Sequence, residues 1–288
     1  MQSNTSTEAR TAAGATEDLY AFGTDGFSVG VDTGGTSYIN CNESSKNYAS
    51  WNWKAGGAAS TNDDGAIDSE VSANTTAGFS IVSYTGTGSA TTVGHGLSQT
   101  PELILIKNRP DADDWIVYSE AVGNTSGLLL SFTNAPDDDI GYFNDTSPTS
   151  SVFTVGTQNR TNGSTNAMVA YCFHSIENYS KVGSYTANNS ADGVFLYCGF
   201  SPAYFLVKST TAGTDWIMFD NKRNTYNVVN NRLEPNTNAA EDQDANDVLD
   251  FVSNGIKIRG NGGGLNYSTR TQIYLAFAET PFKTANAR

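Results

Sequence analysis

The stretch TPELILIKNRPDADDWIVYS (Thr100–Ser119) lies over SPAYFLVKSTTAGTDWIMFD (Ser201–Asp220) without a gap, and this duplication limits what the chain can fold into. Pro101 meets Pro202, Leu105 meets Leu206, Lys107 meets Lys208 and Trp115 meets Trp216, all at an offset of 101 residues. The offset holds upstream, where Ser83–Thr85 and Ser184–Thr186 both read SYT. Self-similarity at one domain length means that one unit is built twice. The back halves match more loosely. SVFTVG (Ser151–Gly156) answers NGIKIRG (Asn254–Gly260), and MVAYCFH (Met168–His174) answers QIYLAFA (Gln272–Ala278).

A third back half opens the chain. DLYAFGTDGFSVG (Asp18–Gly30) aligns without gaps to DVLDFVSNGIKIR (Asp247–Arg259), bringing Phe22 to Phe251 and Gly26 to Gly255. YASWNWKAGG (Tyr48–Gly57) then stands where VAYCFH and YLAFAE stand later. The order is back, front, back, front, back. It predicts an N-terminal half unit over 1–56, a linker over 57–77, and whole units over 78–179 and 180–288. A half unit leaves apolar faces and strand edges without partners. Residues 18–56 are therefore expected either to complete a sandwich with another segment or chain, or to be the remnant of a longer array.

Within a unit, LILIK and YFLVK are short apolar runs that suit central strands buried on both faces, with the terminal lysine marking the exit to water. DWIVY and DWIMF follow polar turns and read as hairpin partners. FSV, FTV, IKI, SWNWK and YLAFA alternate, which predicts strands with one packed face. No stretch sustains a helical period, and only 16% of residues are charged. Six to eight strands per unit predict an all-β fold of tandem antiparallel β-sandwiches, jelly-roll or lectin-like in outline.

The formal charge of −14 disfavours nucleic acid and anionic membranes as partners, since both require a basic face. No run is long and apolar enough for membrane insertion by a helix. Three cysteines, Cys41, Cys172 and Cys198, cannot all pair within one chain and read as reduced thiols.

Trp115 and Trp216, at matched positions beside apolar strands, read as structural core. Trp51 and Trp53, two apart, share a strand face and are candidate ligand-binding residues, an aromatic platform for a sugar. Their counterparts are Tyr171 and Phe173, then Leu275 and Phe277, which favours packing. His95, between glycines in VGHGLSQ, is a candidate ligand contact, but FLYCGFSP in the second unit has no histidine there. Asp242, Asp244 and Asn246 imitate the opening of a calcium loop, so calcium is the candidate cofactor. Asp247 replaces the turn glycine, however, and Ser253 stands where glutamate closes such a loop. Solvated acidic turns are the default for these and for NDDGAID, PDADD and PDDDIG. Paired acids for glycoside hydrolysis are the remaining alternative. Neither a G-x-S-x-G elbow nor a P-loop nor a dinucleotide fingerprint occurs, and the chain does not read as an enzyme.

GHGLSQTPELILIKNR followed by DWIVY, WNWKAGG and the ending IYLAFAETPFKTANAR resemble a repeated β-domain of structural proteins from tailed, particularly marine, bacteriophages. The resemblance covers most of the chain from about residue 18, though the second unit lacks the His-Gly-Leu loop. It implies a virion component assembled in the host cytoplasm, foremost a tail fibre or other appendage that recognises the host surface. It implies other virion proteins as partners, self-association of the trimeric kind common in fibres, and a host glycan or protein as receptor. It implies no activity and no catalytic residues. Capsid decoration, a free-standing carbohydrate-binding module and a glycan depolymerase are the alternatives.

Overall fold

The structure, a computed structural model, describes residues 1–8, 18–30 and 41–280. Gly, Asn and Asp turns divide the chain into extended runs too short for helices. Helix is confined to α1 (Ile140–Phe143) and α2 (Asn159–Asn162) among these residues. The protein is all-β, made of antiparallel sheets packed as sandwiches.

The N-terminal region contributes a hairpin, β1 (Leu19–Phe22) and β2 (Phe27–Val29). The first unit begins with β3 (Ser60–Asn62), β4 (Ser69–Asn74), β5 (Phe79–Thr85), β6 (Thr91–Gly94) and β7 (Leu103–Asn108). It continues through β8 (Ile116–Ser119), β9 (Gly123–Leu129), β10 (Asp137–Asp138), β11 (Val152–Val155) and β12 (Ala167–Phe173). The second unit holds β13 (Ser180–Thr186), β14 (Phe195–Tyr197), β15 (Pro202–Ser209), β16 (Trp216–Asp220) and β17 (Asn231–Arg232). It ends with β18 (Asp242–Gln243), β19 (Leu249–Val252), β20 (Gly255–Ile258) and β21 (Thr271–Ala278).

The repeat in the sequence reappears as topology. The large sheet of the first unit runs β10-β9-β8-β7-β12-β5-β4-β3, and that of the second runs β13-β21-β15-β16. The stretch β8-β7-β12-β5 is thus rebuilt as β16-β15-β21-β13. Each large sheet is backed by a small one, β11-β6 in the first unit and β14-β20-β19 in the second. Residues 57–77 are not a linker: β3 and β4 extend the first large sheet, with β4 paired along its length to β5. SEVSAN alternates inward and outward, but Val71 and Ala73 are too few apolar side chains for the period to stand out.

Three apolar cores follow from the pleat. Along β7, Ile104 and Ile106 face the small sheet of their own unit, while Leu103 and Leu105 face the other way. Along β15, Phe205 and Val207 point into the second sandwich, and Tyr204 and Leu206 point out of it. The outward residues of both large sheets meet in one shared core, together with Trp115, Trp216, Phe173 and Phe277. The two sandwiches are therefore stacked back to back. This is why LILIK and YFLVK are apolar on both faces. Trp115 and Trp216 are buried there, as a core role demands.

Lys107 and Lys208 do not leave the sheet for water; both are fully buried. They share the strand face of Leu105 and Leu206, which the opposite unit covers. Lys107 Nζ donates to the carbonyls of Asn108 at 2.6 Å and Asp111 at 2.9 Å. Lys208 Nζ donates to the Ser209 carbonyl at 2.6 Å and to Thr214 Oγ1 at 3.1 Å.

The N-terminal region is bound to this stack. Trp115 Nε1 donates to the Gln2 carbonyl at 2.9 Å, and Ser3 Oγ donates to Pro235 of the second unit at 2.6 Å. Trp216 Nε1 instead reaches the Leu129 carbonyl of the first unit at 3.0 Å. SWNWK, expected as a strand, pairs in no ladder, yet it keeps an alternating burial. Trp51, Trp53 and Ala55 are half-buried, and Ser50, Asn52 and Lys54 are exposed.

Candidate functional site

The alternation of Tyr48–Gly56 turns both tryptophans onto the junction of the two units. Trp53 wedges between the ends of the two equivalent strands β12 and β21, with ring centroids 6.4 Å from Phe173 and 5.5 Å from Phe277. It also meets Tyr204 edge to face at 5.7 Å, and Trp51 meets the same ring at 5.9 Å. Beside them opens a cleft of about 590 Å³. One wall is aromatic, formed by Trp51, Trp53, Tyr179 and Tyr204. The other is the turn after β16, Asp220 to Arg223.

That turn is held by Asp220. Its Oδ1 accepts the backbone N–H groups of Lys222 and Arg223, each at 2.9 Å, and its Oδ2 accepts Arg223 Nε at 2.6 Å. Burial by itself raises the Asp220 carboxyl, but the Arg223 guanidinium and these N–H donors prevail and hold it below the usual carboxylate value. Arg223 also donates to Glu241 and to the Met218 carbonyl, and its guanidinium carbon lies 5.8 Å from the centre of the Trp51 ring. Next to it, Asn221 Oδ1 is buried with no hydrogen-bond partner among the described residues. A buried carbonyl left without a donor is costly unless something fills the role. The cleft thus combines flat aromatic surface with a fixed cation. Such a surface suits a ligand with apolar faces. Asp220 is ionised and fully engaged, so it is not poised to carry a proton.

The other candidate residues fall elsewhere. His95 is fully buried and does not line this cleft. Its Nδ1 accepts the Leu97 N–H at 3.2 Å, and its Nε2 lies 3.2 Å from the Thr149 carbonyl, which fixes the proton on Nε2. Burial lowers its pKa, so it stays neutral and ties two loops together. The calcium reading of Asp242, Asp244 and Asn246 gives way to Arg232. Its guanidinium lies 2.8 Å from Asp242, 3.4 Å from Asp244 and 3.1 Å from Asp247. Asp244 Oδ1 is further occupied by the backbone N–H groups of Asn246 and Asp247. A fixed cation already occupies this loop, and no cluster of three metal-ligating His, Cys, Asp or Glu side chains occurs among the described residues. Cys172 and Cys198 are buried free thiols whose burial pushes them up to about 12, well away from thiolate chemistry.

Sequence reasoning missed Asp220, Asn221 and Arg223. The signal lay in the repeat itself: SEAV in the first unit becomes DNKR in the second, Ser119 to Asp220 and Val122 to Arg223. Where two copies of one fold exchange charged for neutral residues, the fold does not require the change.

Fold and cleft together define a tandem β-sandwich protein with an aromatic site at the junction of its units. The chain belongs to the family described as a domain of unknown function (DUF7483), whose model matches residues 1–281. No curated protein and no solved structure matches it.

Proposed function

We propose that this chain is a structural and adhesive component of a bacteriophage particle, a tail fibre or similar appendage that contacts the host surface. The sequence resemblance supplies the class. The observation that carries the reading is the shared core: two copies of one sandwich are fused back to back, and the N-terminal segment is bound across them. Such an arrangement supports a rigid building block more than a hinged catalytic domain. Immunogold labelling of particles with antibody to the purified chain tests it. Gold on tail appendages supports the proposal, gold on the head moves the chain to capsid decoration, and unlabelled particles sink it.

The cleft favours a second reading, a carbohydrate-binding module, within a virion or free of one. The Trp51 ring is the contact that matters. Titration with host-surface oligosaccharides is expected to change tryptophan fluorescence, and Trp51→Ala to weaken binding by about 1–3 kcal/mol. Equal affinity in the variant removes the cleft from consideration.

A further inference from the structure

The hairpin β1–β2 carries four exposed apolar side chains, with Phe22 at 80%, Leu19 and Tyr20 at 46% and Phe27 at 40% of their full exposure. Elsewhere in the chain the same hairpin is covered. By sequence, β1 and β2 correspond to β19 and β20, and the pairing agrees: Phe22 lies opposite Phe27 as Phe251 lies opposite Ile256. In the second unit Leu249, Ile256 and Ile258 are buried, and β14 lies on the edge of β20. The first unit places β6 on the edge of β11 in the same way. The two copies agree residue by residue. Ile256, the counterpart of Phe27, faces Leu196, and Phe153, the first unit's counterpart, faces Val93. Among the described residues, β2 alone of these three equivalent strands has no front-half strand on its edge.

β14 is itself an edge strand, and it exposes Phe195 at 45% and Tyr197 at 67%. The β6 strand of the first unit, Thr91–Gly94, carries no aromatic residue at all. We propose that β2 of one copy pairs with the free edge of β14 in a second copy, joining two small sheets into one five-stranded sheet, β1-β2-β14-β20-β19. Strand addition of this kind satisfies the unpaired backbone of both edges and covers the apolar side chains on each. The two surfaces differ, so the contact is head to tail. Repeated, it closes into a ring or continues as a filament. The inference stands apart from the virion assignment, since it requires only the internal repeat.

The test is the mass of the intact chain by light scattering over a wide concentration range. Wild-type protein is expected to associate as concentration rises. Phe27→Asp and Tyr197→Asp each change an exposed side chain, and each is expected to weaken association at least about tenfold. Mixing the two variants in equal amounts distinguishes this contact from any other. One intact β2 then meets one intact β14, and growth stops at a dimer. Phe22→Ser, at the most exposed position, gives an independent reading should either aspartate disturb folding. An excess of a peptide spanning Gly193–Gly199 is expected to return wild-type protein to monomer. A wild-type monomer at every concentration overturns the proposal, as does association that both aspartate variants leave intact or a mixture that stays monomeric.

Discussion

Lys208 shows how one residue can record the packing of the whole. An ammonium group on the face between two sheets loses its water, and two hydrogen bonds replace it incompletely. Burial draws its pKa down from 10.5 to about 8, against the pull of Asp215 in the other direction. Between these values the unfolded chain keeps a proton that the folded chain gives up, so stability rises with pH from about 8 towards 10.5. The burial penalty is present in full below that window and gone above it. Lys208→Met should flatten this slope and, at pH 7, raise stability by about 1–2 kcal/mol once the lost hydrogen bonds are counted. Lys107 is also lowered, burial being the main cause, but Asp113, Asp114 and Asp111 all support its charge. Lys107→Met should therefore gain less. Urea midpoints at pH 7 and pH 9.5 decide the matter; a Lys208→Met protein that is less stable at pH 7 with an unchanged slope refutes it.

At the level of strands, alternation was legible and its origin was not. LILIK and YFLVK were readable as strands buried twice over, but a sequence does not say what covers the second face. The answer, the sheet of the other unit, placed Lys107 and Lys208 in a core instead of in water. The gapless match of the N-terminal hairpin to β19–β20 holds in register beside the turn, at Ala21–Ser28 and Phe22–Phe27, because Gly26 and Gly255 mark equivalent turns. It slips by one residue at Leu19, where β1 is irregular. β3 and β4 escaped notice because strands rich in serine and asparagine at a sheet margin carry little apolar signal. SWNWK had the period of a strand and lacked only the ladder, since its tryptophans are held by rings from two units. The cleft was legible in part. Trp51 and Trp53 stood out as a pair, whereas the turn that faces them showed only as a lapse of the repeat at Asp220–Arg223. His95 and the Asp242–Asn246 loop drew notice for their chemical types, yet buried hydrogen bonds and Arg232 already account for both.

On the scale of the molecule, the shared core determines whether the repeat behaves as two domains or one. Tandem sandwiches joined by a polar contact unfold separately, because each buries its own core and loses little when its neighbour melts. Here Leu103, Trp115 and Phe173 of one unit and Leu206, Trp216 and Phe277 of the other are buried only while both are folded. Unfolding one unit exposes half of this core on the other, a loss of roughly 25 cal/mol for every Å² of apolar surface uncovered. The indole of Trp216 also loses its carbonyl partner at Leu129. Calorimetry should therefore give a single transition, with the calorimetric enthalpy close to the van't Hoff value. The net charge of −14 acts on the same body as diffuse repulsion, so added salt should raise that transition temperature without dividing it. Leu206→Asp puts a charge into the junction and leaves the inner face of β15 intact, and should split the transition in two. Two transitions in the wild-type protein mean that the sandwiches share a surface without sharing stability. One transition that Leu206→Asp merely lowers means that cooperativity comes from elsewhere, with the segment linking Trp115 to Pro235 the next place to cut.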